Sequence, residues 1–220
     1  MKITTQRFAA AFAALALIAG ATSCGKGHND YSDMILAAGD SVAIPGADKS
    51  SGWHTSNRFI AAVNNGAMVA KRYGYVTVSN TDGTAFSVSV TPTVTKGYVD
   101  AYLKFGTATI NNVKAMYRTH TVVNESDSQV TFAGITGEHV TLIVADFNND
   151  KLTRLTMTLE NVDQTELKKY LGERYVYIHS VNQLDYYLSV DGESLITAPT
   201  SGSNVNVTFC SNDGVLKLPE

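Results

Sequence analysis

The stretch from Trp53 to Val78, WHTSNRFIAAVNNGAMVAKRYGYVTV, constrains the fold more than any other part of the chain. Apolar residues alternate at its end in Val76 and Val78, and small residues separate the apolar groups. Asn64-Asn65-Gly66 is a tight-turn signal. That combination predicts short strands and tight turns, the pattern of a β-sandwich.

The pattern continues on both sides. Ser41 to Ile44 is a short candidate strand that Pro45-Gly46 stops. Gly52 to Asn57, Phe59 to Val63, Ala67 to Lys71 and Gly74 to Ser79 follow as further candidates. Asn80-Thr81-Asp82-Gly83 reads as a hairpin turn, because glycine tolerates the positive φ such turns need. Phe86, Val88 and Val90 then alternate with polar residues, the period-two mark of a half-buried strand.

Trp53, Ser56-Asn57, Ala61-x-Val63, Gly66, Ala70, Gly74 and Thr77-Val78 resemble the bacterial Ig-like domain, group 2, over about Tyr31 to Thr93. The resemblance implies that Trp53 fills the space between two sheets while Ala61 and Val63 point inward. The segment between Val42 and Trp53 is shorter than that family's pattern.

After Thr93 the character changes. Asp100 to Phe105 is apolar-rich, and Thr107 to Tyr117 spaces Ile110, Val113, Ala115 and Met116 roughly as a helix does, with Thr107 or Thr109 as its cap. Strands are predicted at Thr119–Val123, Gln129–Ala133, His139–Phe147 and Lys151–Leu159, the last two turning at Asn148-Asn149-Asp150. A second helix is signalled by Asp163 as cap, Glu166 as capping-box partner, the stripe Leu167, Tyr170, Leu171, and Gly172 as stop. Strands resume at Tyr175–Ser180, Tyr186–Val190, Glu193–Thr197, Asn204–Cys210 and Val215–Leu218. Helix followed by strands, twice over, suggests two αβ repeats. This layout weakly resembles the αβ units of β-lactamase inhibitor proteins and of small outer-membrane assembly lipoproteins, with only Thr109-x3-Val113 matching their motif.

The expected fold class is therefore an all-β Ig-like sandwich (residues 34–93) followed by an α+β domain (residues 94–220), its two helices packed on antiparallel sheet. Residues 1–23 read as a signal peptide: Lys2 and Arg7 precede a 14-residue apolar and small run, Phe8 to Ala21, too short for the ~20 residues a membrane-spanning helix needs. Ala21-Thr22-Ser23-Cys24 resembles the bacterial lipoprotein cleavage site, which implies that Cys24 is the lipid-anchored first residue of the mature chain. Gly25 in place of an acidic residue implies, by the same resemblance, the outer membrane. Residues 24–33 then read as a polar tether. With Cys24 acylated, Cys210 has no partner for a disulfide.

Removing Lys2 and Arg7 takes the formal net charge from −3 to −5, and there is no basic block, which argues against nucleic acid as partner. No cofactor or metal is expected. Asp146-x-Asn148-x-Asp150 copies the opening of a calcium loop, but Lys151 and Met157 stand where that loop needs Gly and Glu. His28, His54, His120, His139 and His179 show no ligand spacing. Cys210 has no neighbouring base to make it a nucleophile, and no serine sits in a G-x-S-x-G turn. Tyr175 and Tyr177, two apart on one strand, and Tyr187 beyond them are candidate ligand contacts for a glycan or protein, with packing as the competing role. The expected function is a non-enzymatic, lipid-anchored envelope or surface binding protein. Its rivals are a hydrolase of glycans or peptides with a dispersed site, and an outer-membrane structural or assembly factor.

Overall fold

The computed structural model describes residues 33–47 and 52–220. The expected signal peptide, Cys24 and nearly all of the expected tether lie outside the described residues. Tyr31–Glu220 forms one compact unit. It is mostly β, with two helices among the described residues.

Seven strands come first: β1 (Met34–Ala37), β2 (Ser41–Ala43), β3 (His54–Thr55), β4 (Ala61–Asn64), β5 (Ala67–Ala70), β6 (Gly74–Ser79) and β7 (Ala85–Thr91). They form two sheets, ordered β1-β7-β6-β3 and β2-β5-β4. All pairings are antiparallel except β1 on β7, which is parallel with Met34 opposite Val88. The alternation in β7 works as expected: Phe86, Val88 and Val90 turn inward. With Ile60, Ala61, Met68, Ala70, Val76 and Val78 they build one core shared by both sheets. Trp53 packs at the border of that core, its ring 5.7 Å from Phe86, and Val63 also lies against it. Asn65 and Gly66 both take positive φ, which closes the β4–β5 hairpin.

The remainder builds a second core. Helix α1 (Ile110–Met116) precedes β8 (Val122–Ser126), β9 (Gln129–Ala133), β10 (Val140–Asn148) and β11 (Lys151–Leu159). Helix α2 (Gln164–Gly172) precedes β12 (Val176–Val181), β13 (Leu184–Leu188), β14 (Ser194–Pro199) and β15 (Val205–Ser211). The eight strands make one sheet, β12-β13-β14-β15-β11-β10-β9-β8. Each helix thus leads into a four-strand meander, and the meanders join through antiparallel β11–β15 pairing. Val113, Leu167, Tyr170 and Leu171 from the helices meet Phe132, Ile143, Leu155, Ile196 and Phe209 from the sheet in a continuous apolar layer.

Both helix starts have identifiable causes. Asp163 accepts from the Thr165 and Glu166 amides at 2.8 and 3.0 Å, satisfying two otherwise free N–H groups. Glu166 faces His139 at 3.9 Å. At α1 the Thr109 amide donates to Asn112 Oδ1 at 2.8 Å. The β10–β11 turn falls at Asn149-Asp150, both with positive φ.

Two expectations about elements differ from the observed chain. Val215–Leu218 forms no strand, because Asn212 folds the segment back: its amide donates to the Leu216 carbonyl and its oxygen accepts from the Leu216 amide, both at 2.9 Å. The strand expected at Thr119–Val123 runs instead from Val122 to Ser126, since His120 is still turning onto the Tyr117 carbonyl at 2.9 Å.

Candidate functional site

The two cores meet along a seam around the C-terminal end of α2. Glu173 is 7% exposed, and its carboxylate accepts from the Thr93 amide at 2.7 Å, the Val94 amide at 3.0 Å and the Thr93 hydroxyl. Its backbone carbonyl accepts from the Tyr73 amide at 2.7 Å. Burial would raise the Glu173 pKa, but the bonds from Thr93 and Val94, with Lys169 nearby, outweigh it and hold the carboxyl below the usual glutamate range. Arg72 reaches across, donating to the Tyr175 carbonyl at 2.9 Å and the Phe59 carbonyl at 3.1 Å. Arg174 donates to Asp100 Oδ1 at 2.6 Å and to the carbonyls of Val94 and Tyr170, while its guanidinium lies 4.1 Å from the centre of the Tyr170 ring.

A cleft of about 450 Å³ opens along this seam. Ile60, Tyr73 and Gly74 line it from the side of the smaller sheets. The loop Ala101–Lys104, the α2 exit at Arg174 and Tyr175, the β13–β14 turn around Asp191 and Phe209 of β15 line it from the other. Tyr73 and Tyr102 stack across the seam with centroids 5.1 Å apart and planes 24° apart. They are 40% and 46% exposed, so a flat aromatic pair stands in solvent at the cleft. Burial first, then the Asp100 charge, pushes the Tyr102 phenol pKa well up. Gly74 has φ +147°, and a Cβ there would stand 2.7 Å from Ile60 Cδ1, so only glycine lets the backbone pass this close to the cleft wall.

The two cations lining the cleft are paired with carboxylates, Arg174 with Asp100 and Lys104 with Glu193. Lys104 pairs with Glu193 at 3.2 Å on the surface. Asp191 Oδ1 accepts from the Ser189 hydroxyl and from the Glu193 amide, the latter at 3.0 Å, shaping the turn. Tyr175 differs. It is 4% exposed, its ring edge meets Phe209 at 5.9 Å, and its hydroxyl has no hydrogen-bond partner. Burial, with Asp100 adding to it, keeps that phenol protonated far above the usual range.

The chain matches no family model and no curated protein sequence.

The three tyrosines singled out from the sequence take different places. Tyr175 and Tyr177 do not share a strand face, because Tyr175 lies in the bend between α2 and β12: its amide donates to the Leu171 carbonyl at 2.7 Å, and β12 begins only at Val176. Tyr175 lines the cleft. Tyr177 is 48% exposed on the outer strand of the large sheet, and Tyr187 is buried beneath it, their rings edge to face at 5.5 Å. Tyr73, Tyr102 and Arg174, which the sequence did not single out, complete the cleft.

The other candidates have structural partners. The Asp146 carboxylate accepts from Gln129 Nε2 and Arg154 Nε, both at 2.8 Å. Among the described residues no group of three or more His, Cys, Asp or Glu side chains is placed to hold a metal ion. Cys210 is half-buried in β15; burial and Asp213 push its thiol pKa up, which disfavours the thiolate. His120 approaches Glu138 at 3.4 Å near the start of β8, its other ring nitrogen 3.4 Å from the Thr119 hydroxyl and its ring edge-on to Tyr117. Among the described residues no helix is long and apolar enough to cross a membrane.

Proposed function

We propose that this chain is a lipid-anchored cell-envelope binding protein of the adhesion type, attached through Cys24 and without catalytic activity. An Ig-like sandwich (residues 34–93) carries an α+β recognition domain (residues 94–220). Two small sheets around one core, with the first strand parallel to the last, support the Ig-like reading. Two helix-plus-meander units in one sheet support the comparison with β-lactamase inhibitor proteins. A fold likeness carries no function by itself.

The observation that carries the functional reading is the cleft. It is concave, within the ~300–1,000 Å³ typical of small-molecule sites, and bordered by a solvent-facing aromatic pair. Aromatic side chains offer apolar contact area at low entropic cost, which suits recognition. Because Ile60, Tyr73 and Gly74 form one wall, the sandwich takes part in recognition as well as spacing the site from the membrane.

The test is a glycan and protein binding screen on the full chain, compared with a Tyr73→Ala/Tyr102→Ala double variant. The proposal expects at least one ligand whose binding drops in the double variant. Ligands that bind both proteins equally, or turnover of a glycan or peptide by the native chain, overturn it.

A further inference from the structure

The eight-stranded sheet has two faces, and the helices cover one of them. Its residues in the second core, among them Ile143, Leu155, Ile196 and Phe209, turn toward the helices. The residues between them turn the other way. Across six adjacent strands the register lines these up in one row: Thr131, Val144, Thr156, Thr208, Thr197 and Tyr186. None of the six belongs to either hydrophobic core. We propose that this outward face of the sheet is a dimer interface, packed against the same face of a second copy of the chain. The proposal goes beyond the binding reading and does not depend on the cleft.

The size of the face fits a dimer. Eight strands about 4.8 Å apart, in register over about five residues of ~3.4 Å each, span roughly 650 Å². Two such faces together bury roughly 1,300 Å², within the roughly 1,200–2,000 Å² of specific protein–protein contacts. Sheets that share the same twist pack about 10 Å apart with their central strands aligned to within about 30°. Threonines in the central row are small enough to let a second sheet approach that closely.

The charge of the face fits a second copy in particular. In the two rows that flank the central one, the charged side chains are Asp146 and Arg154, opposite each other on β10 and β11 and paired at 2.8 Å. A protein surface normally carries about 25–35% charged residues. A face whose charges neutralise each other in place meets its own copy without bringing like charges together, and like charges across a contact are costly. An isologous contact requires that self-complementarity.

The internal repeat places the centre. The two helix-and-meander units join at β11 and β15, so Thr156 opposite Thr208 stands at the middle of the sheet. A two-fold axis through that point lays β11 and β15 of one copy over the same pair of the other, threonine against threonine. The hydroxyls of Thr156, Thr197 and Thr208 have no hydrogen-bond partner among the described residues, and a hydroxyl can donate and accept across such a contact. Phe209 lines the cleft from the helix side of the sheet. The contact and the cleft therefore lie on opposite sides, and a pair presents two clefts at once, which raises avidity for a repeating ligand.

Sedimentation of the full chain in a density-matched zwitterionic detergent, across the micromolar range, tests this. The proposal expects a monomer–dimer equilibrium that dilution reverses. Thr208→Arg and Thr156→Arg each set two unpaired charges face to face at the centre, and should move the midpoint toward monomer by about 10-fold or more. Arg154 already stands on this face one row away, so the sheet accommodates such a side chain, and urea midpoints check that it does. Cys210, half-buried and opposite Arg154, gives a measurement on the native chain alone. Its alkylation by a charged thiol reagent, read on the Cys210 peptide by mass spectrometry, should slow by about 3-fold or more from dilute to concentrated protein.

A native chain that stays monomeric, a dimer whose midpoint moves in neither variant, or Cys210 labelling that does not change with concentration overturns the proposal. A monomeric chain that binds a different protein, with that binding lost in Thr208→Arg, gives the face to that protein and overturns the second copy as its occupant.

Discussion

Replacing Glu173 by Ala tests how the two cores are held together. The carboxylate accepts three hydrogen bonds, two from backbone amides and one from a hydroxyl, all from residues about 80 positions earlier in the chain. Val94 is buried, so its amide is left without a partner, at a cost of about 1–3 kcal/mol. Thr93 is exposed, so water replaces most of what its amide and hydroxyl lose, adding roughly 0.5–1 kcal/mol. The expected loss is about 2–4 kcal/mol by urea unfolding with linear extrapolation. Lys169→Ala is the control: that side chain is 59% exposed and 3.9 Å from Glu173, an i,i+4 pair worth about 0–0.5 kcal/mol.

The pH dependence has a definite sign. The Glu173 pKa is lower in the folded chain than its ordinary value of 4.5. Its contribution is therefore fully present above that ordinary value and is lost as pH falls through the lowered folded value. The stability gap between the native chain and Glu173→Gln should shrink on acidification through that window. A loss under about 1 kcal/mol for Glu173→Ala, where a buried donor ought to cost more, refutes the reasoning. So does a native-to-Gln gap that does not change across the acid window.

Other outcomes follow from the same geometry. Gly74→Ala should destabilise by about 1–3 kcal/mol in urea unfolding, because φ +147° and a 2.7 Å approach to Ile60 Cδ1 both oppose a side chain. Six tyrosines, Tyr98, Tyr102, Tyr117, Tyr170, Tyr175 and Tyr187, have raised phenol pKa values, with Tyr98 pushed up to about 12 by burial first and then by Glu166 and Asp163. The folded chain holds these protons where the unfolded chain has released them, so stability should fall as pH rises above 10, read by ultraviolet titration alongside unfolding. Under the proposed lipid anchor, Cys24→Ala should move the protein from the membrane to the soluble fraction; unchanged membrane association in fractionated cells contradicts that anchor.

The local chemistry of turns and caps was readable from the sequence. Asn65-Gly66 and Asn149-Asp150 adopt the positive φ that hairpins require, and Asp163 caps its helix through bonds to residues two and three ahead. Alternation placed β6, β7, β10 and β11 to within a residue or two, because each has one face on a core. The parallel pairing of β1 with β7 left no local trace, since it joins positions more than 50 residues apart and neither strand's turns specify it. The cleft was hidden for the same reason. Tyr73 meets Tyr102, and Arg72 meets Tyr175, where the two cores adjoin, between positions far apart in the chain. Tyr175 was misplaced because a period-two argument needs the strand's true first residue, and a helical bond to Leu171 delays it by one.

The central claim is that the seam cleft bordered by Tyr73 and Tyr102 is a recognition site, and a glycan and protein binding screen on the full chain beside its Tyr73→Ala/Tyr102→Ala variant tests it most directly. The account predicts at least one ligand that binds the native chain saturably and whose binding drops in the double variant. Ligands that bind both proteins equally, or turnover of a glycan or peptide by the native chain, contradict it.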